Sequence, residues 1–377
     1  MTKIRTWFND CRKTYNLALN AVKCGKFKPL DEGGLKKRFV AKMQRGKRLA
    51  YLTETPSKLR AGAIKELCVA YKTNFDIMKT NYTHKFDLKF RSRKDIQSIS
   101  LQKDSFVKLK SKFKDRLFFP QYITDKIGYS PRDIDFTKIN HDCRLILSRT
   151  GKLFVSIPVS YTTPKMMSET DNIMAIDPGV RTAYTCFAPN SETPFLEYGK
   201  GDITKVYKLG LYLDKLMGKI TKEKNKRKKK SLRKAVNRLR ERIANLKADS
   251  HHRICHDILK NADTILIPDF KTSQMIKKGE RKIRKVTVRK MLNWSHYSLR
   301  QKLITKAKEL GKKVIVVTEE YTSKTCCKCG NVDSKLGGSK IYNCKVASCR
   351  FQIDRDYNGA INILLKHLTE RCVPSAA

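Results

Sequence analysis

Five cysteines crowd into residues 326–349, and four of them have ligand spacing: Cys326 and Cys329, then, fourteen residues on, Cys344 and Cys349. Each pair brackets a tight knuckle, and the intervening loop lets the two knuckles meet around one tetrahedral Zn²⁺. Four thiolates leave no open position for water, so such a site is structural rather than catalytic. Four residues separate the second pair where two are more usual, and Cys327 is either a spare thiol or a substitute ligand if the first knuckle shifts. The chain then runs into Asp354-Arg355-Asp356-Tyr357-Asn358-Gly359-Ala360, which puts Asp356 at the start of a helix with Ile361, Leu364, Leu365 and Leu368 as its buried face. An acid is favoured there by the helix dipole, and Asp354 is the alternative occupant of that role. Far upstream, Asp177 ends the apolar strand Ile173-Met174-Ala175-Ile176 and precedes the turn Pro178-Gly179. A carboxylate at the mouth of a buried strand is costly unless it binds a cation or reaches water. A turn-forming Asp is the plainer account.

These side chains need a large scaffold. At 377 residues the chain has room for two or three domains. Its 82 Lys and Arg against 35 Asp and Glu give a formal charge of +47, a self-repelling balance that makes physical sense when phosphates neutralise it. Nucleic acid is the expected partner, ahead of an anionic membrane. No run of eighteen apolar residues occurs. Met1-Thr2-Lys3-Ile4-Arg5 opens no signal-peptide apolar region, so an intracellular protein without a membrane span is expected. Cys11, Cys24, Cys68, Cys143, Cys186 and Cys255 are scattered singly and read as buried small hydrophobes in a reducing compartment; Cys372, in the tail, is uninformative.

Helical periodicity opens the chain, with Trp7, Phe8, Cys11, Tyr15, Leu17, Ala18 and Val22 across residues 3–23 and Leu59, Ala63, Leu67, Ala70, Tyr71, Phe75 and Met78 across 58–79. From about residue 85 the texture turns to short runs: Phe86-Asp87-Leu88-Lys89-Phe90, Ile99-Ser100-Leu101, Leu117-Phe118-Phe119, Arg144-Leu145-Ile146-Leu147 and residues 152–158. That is the pattern of a small barrel or sandwich. A polar linker beginning at Thr162 leads to alternating strands and helices: 173–177, 182–188, a long helical region over roughly 205–261, 264–267 and 313–318. These imply an α/β core with strands buried on both faces. Residues 221–240 hold eleven basic residues and one acid, Glu223. The run continues into the periodicity of Leu232, Val236, Leu239, Ile243 and Leu246, so one face can dock while the other lies along a nucleic-acid backbone. A solvated face or a nuclear-localisation patch is the plainer reading.

A strand-end carboxylate far upstream and a helix-start carboxylate near the carboxyl end, joined by alternating strands and helices, form the layout of an RNase H-type nuclease core. Such cores hold two Mg²⁺ ions about 4 Å apart on three or four acids and hydrolyse phosphodiesters. The segments Trp7-Phe8-Asn9-Asp10-Cys11-Arg12-Lys13-Thr14-Tyr15-Asn16, Ala175-Ile176-Asp177-Pro178-Gly179-Val180-Arg181-Thr182, Ile267-Pro268-Asp269-Phe270, Tyr321-Thr322-Ser323-Lys324-Thr325-Cys326 and Asp354 to Ala360 resemble the TnpB and Fanzor family. That family comprises transposon-associated, RNA-guided DNA endonucleases related to the type V CRISPR effectors. The resemblance spans both ends and the whole second half of the chain, and the stretch from Thr322 to Asp356 is its specific part. It implies a multidomain α+β protein: a helical REC-like lobe over 1–84, a β-barrel wedge domain over 85–165, an RNase H-like (RuvC) α/β nuclease core over 171–320, an inserted zinc ribbon over 321–352, and the terminal RuvC motif and helix over 353–377. The first helix begins almost at residue 1, where relatives place a barrel strand, so the wedge domain is expected to be incomplete or the start truncated.

One departure matters. In bacterial TnpB the second nuclease motif looks like an apolar strand ending in Glu-Asp-Leu, and Pro268 stands here in the glutamate's place. Proline cannot bind Mg²⁺. Fanzor proteins resemble this chain in drawing a replacement from the strand before the zinc ribbon, and the matching position is Glu319, with Glu320 beside it and Asp269 as a third candidate. Strand alternation lets only one of the 319/320 pair face the metal, and the offset of Glu319 from Thr322-Ser323 matches the family pattern. The resemblance thus implies Mg²⁺ on Asp177, Glu319 and Asp356, and Zn²⁺ on Cys326, Cys329, Cys344 and Cys349. It also implies a monomeric ribonucleoprotein, nuclear in a eukaryotic host, in which a guide RNA pairs with double-stranded target DNA while the protein reads backbone shape and a short flanking motif. A guided binder without nuclease activity and a DNA transposase are the alternatives. Arg181 is a candidate phosphate contact, Trp294 and Tyr297 read first as helix core and second as a stacking platform, and His251 and His252 read as structural.

Overall fold

The computed structural model describes residues 2–41, 52, 55–102, 141–165, 172–277, 283–334, 336–337 and 339–372. The expected run Leu117-Phe118-Phe119 lies outside the described residues. The chain divides into two compact units, Met1–Ser160 and Tyr161–Ala377.

In the first unit, Thr2–Lys23 (α1) buries Trp7, Phe8, Cys11 and Ala18 of the expected periodic face, with Leu19 fully buried beside them and Leu17 only half-buried. It stops where Gly25 takes a φ of 72° and the amides of Gly25 and Lys26 bond back to the carbonyls of Val22 and Ala21, each at 3.0 Å. That pair of bonds is the Schellman arrangement, which glycine admits without steric cost. Cys24, at this solvent-facing end, is exposed rather than buried. Glu32–Lys36 (α2) runs into a short π-helical turn, and Ser57–Thr80 (α3) packs Leu59, Ala63, Ile64 and Leu67 into the same core as α1. Gln97–Leu101 (β1), Cys143–Leu147 (β2) and Leu153–Ser156 (β3) form an antiparallel sheet in the order β1-β2-β3 and share that core through Ile99, Leu101 and Leu145. Among the described residues this sheet is open, not a closed barrel. Residues 86–90, expected as a strand, pair with no strand among the described residues. The backbone of Arg91 is instead captured by the Asn16 side chain, at 2.8 and 3.0 Å, while Phe86 sits edge-on to Tyr71 and Phe75.

In the second unit, Ile173–Pro178 (β4), Tyr184–Phe187 (β5) and Phe195–Tyr198 (β6) make an antiparallel meander. Asp202–Lys222 (α4) and Lys226–Asn261 (α5) follow, two helices where sequence periodicity suggested one. The break is at Asn225, whose side chain caps α5 by accepting from the amides of Arg227 and Lys228. Thr264–Pro268 (β7) then joins β4 in parallel; Thr272–Met275 (α6), Lys285–Trp294 (α7) and His296–Glu309 (α8) intervene; and Lys313–Val317 (β8) adds in parallel to β7. The finished mixed sheet runs β6-β5-β4-β7-β8. Ile341–Asn343 (β9) and Gln352–Asp354 (β10) form a separate antiparallel pair that feeds Arg355–Cys372 (α9).

Alternation sorts the central strands. Met174, Ile176, Ile265 and Ile267 point to one face, where they meet Ile254, Ile258, Leu299 and Leu303 of α5 and α8. Ala175 and Leu266 point to the other, packed with Ile363 and Leu364 of α9 and with Ile173, Ile315 and Val317. Strands covered on both faces explain why β4 and β7 read as continuous apolar runs. No helix among the described residues is long and apolar enough to cross a membrane.

Candidate active site and metal centre

The same alternation decides where the acids go. Asp177 continues the parity of Ile173 and Ala175, so its carboxylate emerges on the α9 face. There it abuts Gly359: a Cβ built on that glycine would lie 2.8 Å from Asp177 Oδ2. Asp356 stands in the first turn of α9, three residues before Gly359. Its amide donates to Asp354 Oδ1 at 2.9 Å, so Asp354 fills the capping role and leaves Asp356 free of it. β8 ends at Val317, and Glu319 follows two residues later along the parity of Ile315 and Val317. Glu320 is exposed.

Electrostatics tie these acids together. Burial pushes the Asp177 carboxyl well above the usual carboxylate range, and the charges of Asp356 and Glu319 push it further, against Arg355. The Glu319 carboxyl is raised by burial and then by Asp269. That of Asp356 is raised by burial and Asp354, with Arg181, Arg355 and Lys340 opposing. Asp177 thus sits where the negative charges of Asp356 and Glu319 both reach, a setting that suits divalent cations. Asp269 has the opposite parity to Leu266 and Pro268. It is held instead by Arg300 of α8, at 2.5 Å, and by Lys271, at 3.7 Å. Its influence on Glu319 is that of a neighbouring charge.

Two residues shape the loop after Asp177. Pro178 is still part of β4, opposite Tyr184, so the turn starts later than its sequence suggests. Gly179 then donates to Ala183 O at 3.1 Å, and a Cβ on it would lie 2.8 Å from Thr182 O, so no larger residue fits without moving that backbone.

The four expected thiols converge. Cys326, Cys329, Cys344 and Cys349 place their sulfurs within 4.8 Å of one another, and among the described residues no other set of three or more His, Cys, Asp or Glu ligand atoms is that tight. The Cys326–Cys349 and Cys329–Cys344 separations are 3.9 and 3.6 Å. A tetrahedron of sulfurs at a Zn–S distance of about 2.3 Å has edges of about 3.8 Å, whereas a disulfide would need about 2.05 Å. The set therefore fits Zn²⁺. Cys327 stands outside it. The first knuckle closes through Gly330 N to Cys326 O at 2.9 Å, with Gly330 at a φ of 75°. The longer second spacing is absorbed by a turn in which both Cys349 and Arg350 donate to Val346 O.

Comparison with known proteins converges on one group. The family model described as "Cas12f1-like, TNB domain" matches residues 296–363, and the model described as "Probable transposase" matches 156–279. The TnpB-like protein L79 of Acanthamoeba polyphaga mimivirus is 27% identical over 96% of this chain and 69% of its own length. The CRISPR-associated endodeoxyribonuclease Cas12f1 of Sulfoacidibacillus thermotolerans is 29% identical over 65% of this chain and 56% of its own. The chain belongs to the TnpB-like and Cas12f1-like family. In fold it is similar to the protein in a cryo-EM structure of a Cas12f1–sgRNA–target DNA complex, with a TM-score of 0.53 at 15% identity, covering 96% of this chain and 82% of that one.

For a TnpB-like protein the informative residues missed by sequence reasoning are two asparagines on α9. Asn358 is fully buried; its Oδ1 accepts from Cys327 N at 3.1 Å and its Nδ2 donates to Thr325 O at 2.7 Å. One turn later, Asn362 donates to Thr322 O at 2.8 Å and to Thr325 O at 2.7 Å. The first cysteine knuckle is thus pinned to the helix that carries Asp356. A signal was present, since two amides four residues apart on an otherwise apolar helix face must find partners when buried. Of the other candidates, Arg181 is exposed and bears on Asp356, Trp294 is buried with its indole N–H on Val180 O, Tyr297 is exposed, and His251 bonds Trp294 O at 2.9 Å inside the core.

Proposed function

We propose that this chain is an RNA-guided DNA endonuclease that hydrolyses phosphodiesters at a RuvC-type site formed by Asp177, Glu319 and Asp356. The observation that carries this reading is the shared parity of Asp177 and Glu319, which sends both toward α9 and Asp356 at the carboxyl edge of the parallel strands. Support also comes from the strand order, three antiparallel strands followed by two parallel ones, which is that of an RNase H-like sheet. The three carboxylates would supply the oxygen ligands for two Mg²⁺ ions, whose chemistry, when bound, is to generate hydroxide from water and to neutralise the leaving oxygen. Gly359 keeps space beside Asp177, and the charges of Arg181 and Arg355 bear on Asp356. In this reading the first unit supplies the REC-like helices and the wedge sheet, the partners are a guide RNA and double-stranded DNA, and the particle is a monomeric ribonucleoprotein acting in a nucleus.

The test is to purify the protein, sequence the RNA that accompanies it, and challenge a matching duplex with and without Mg²⁺. Glu319→Ala should abolish cutting and leave binding intact, whereas Glu320→Ala should cut normally. A second reading has one observation in its favour: on β7, the residue whose parity faces the site is Pro268. If the unaltered protein binds its RNA and DNA but never cuts, the chain is a guided binder. Strand-transfer products from pre-cut transposon ends would mark a transposase.

A further inference from the structure

The α4–α5 hairpin has features that the nuclease site does not use. Near the sheet, Ile203 of α4 and Ile254, Cys255 and Ile258 of α5 belong to the main core. Further out the two helices leave that core and zip against each other alone, Leu209, Leu213, Leu216 and Ile220 meeting Leu232, Val236, Leu239 and Ile243. The result is a two-helix arm, braced at its side by Arg289 of α7, which donates to Gly210 O at 2.9 Å and pairs with Asp214 at 2.5 Å.

Over residues 226–242 of α5 there are ten basic residues and one acid, Glu241. Four carboxylates along the arm are already engaged: Asp202 and Asp249 with Arg253, Asp214 with Arg289, and Glu223 with the amide of Asn225. Five cations recur at four-residue steps and all are exposed: Lys226, Lys230, Lys234, Arg238 and Arg242. Four residues of α-helix advance about 6 Å, so the five make a ridge roughly 24 Å long. Like charges at this spacing destabilise a helix. A polyanion with regularly repeating charges relieves that repulsion and a discrete ligand does not.

We propose that this ridge is a backbone-tracking surface that seats one phosphodiester strand of a bound nucleic acid, contacting phosphates without reading bases. The inference rests on the nucleic-acid reading above, and it adds the location and the mode of contact. Charge complementarity commits the surface to nucleic acid; the strand can belong to RNA or to DNA, and the test separates them.

The experiment compares the full chain with a variant carrying Lys230→Glu, Lys234→Glu and Arg238→Glu, and with a control carrying the same charge change at exposed Lys72, Lys85 and Lys94. Binding of a labelled single-stranded RNA and of a labelled DNA duplex is measured across a salt series, with circular dichroism confirming helix content. A neutral triple variant to Gln repeats the test without charge reversal. Each lost phosphate contact lowers the slope of log K against log salt by about 0.9 on a duplex and about 0.7 on a single strand. The ridge variants should therefore lose between two and three units of slope, on the order of three contacts, on whichever nucleic acid the arm holds, while the control loses less than one. Equal losses in ridge and control variants, or an unchanged slope in the ridge variants, would overturn the arm and leave the nuclease reading standing. An unaltered chain that binds neither probe, or binds only anionic lipid vesicles, would overturn both.

Discussion

Replacing Asn358 with Ala tests whether the cysteine knuckle and the helix bearing Asp356 behave as one piece. The native amide is fully buried and makes two bonds, accepting from Cys327 N and donating to Thr325 O. Truncation orphans the Cys327 amide, at a cost of about 1–3 kcal/mol, and removes a second bond worth about 1 kcal/mol. Thr325 O is less affected, because Asn362 also donates to it at 2.7 Å. The expected loss is therefore about 2–4 kcal/mol, and Asn362→Ala should cost less, since the groups it strands are carbonyls, one of them still bonded. The double variant should exceed the sum of the singles by roughly 0.5–1 kcal/mol, because only then does Thr325 O lose both donors. Urea unfolding supplies these numbers, and chelator-induced zinc release from the purified protein supplies an independent readout. Release should quicken in the order native, Asn362→Ala, Asn358→Ala, double variant. Unchanged midpoints together with unchanged release would refute the pinning, and additive costs would refute the shared carbonyl.

Three further outcomes follow from single contacts. Gly359→Ala, which pushes a methyl to 2.8 Å from Asp177 Oδ2, should abolish metal-dependent cutting while leaving the thermal unfolding midpoint within a few degrees, checked by cleavage and calorimetry side by side. Cys327→Ser should retain one zinc per chain by elemental analysis, whereas Cys349→Ser should lose it, because only the latter belongs to the thiol cluster. His296 is buried, and burial lowers its pKa from 6.5 to about 4, against the opposing backbone contact at Gly179. Between those values the unfolded chain holds the extra proton, so stability falls as pH drops from about 6.5 to about 4, by about 3 kcal/mol in total. His296→Leu should flatten that part of the profile, and an identical slope in urea titrations of both proteins would contradict it.

Much of this architecture could be read from residue spacing, and the exceptions share a cause. The helices α1 and α3, the strands β4, β7 and β8, and the four thiols declare themselves because each obeys a local rule, period 3.6, a continuous apolar run, or paired cysteines. Misread elements depend on distant partners. Residues 86–90 alternate like a strand, yet pair with no strand among the described residues, and the backbone of Arg91 just beyond them is held by the Asn16 side chain, 75 positions earlier. The four residues of β6 are too few to show a period and exist because β5 lies beside them. Asn358 and Asn362 look like polar intrusions on an apolar helix until the knuckle is in place.

The exchange of Pro268 for Glu319, under the proposed reading, is one the sheet itself permits. β7 and β8 are parallel neighbours in register, with Pro268 opposite Val317, so both strands finish at the same edge. Val317 shares the α9 face with Ile315, and one further step of two residues brings the chain to Glu319. A ligand lost from the end of one strand can therefore be replaced from just beyond the end of the next, without a change of topology or of helix packing. The same step fails for Glu320, whose parity is opposite, and for Asp269, which Arg300 has already drawn toward α8. Arg300 is itself mostly buried and also donates to Pro268 O, so it holds the end of β7 in place while pairing with the acid whose charge raises Glu319. Removing that guanidinium leaves Asp269 to the looser pairing with Lys271, at 3.7 Å, and its repulsion of Glu319 should grow, felt first at the carboxylate that lies beyond the end of its strand.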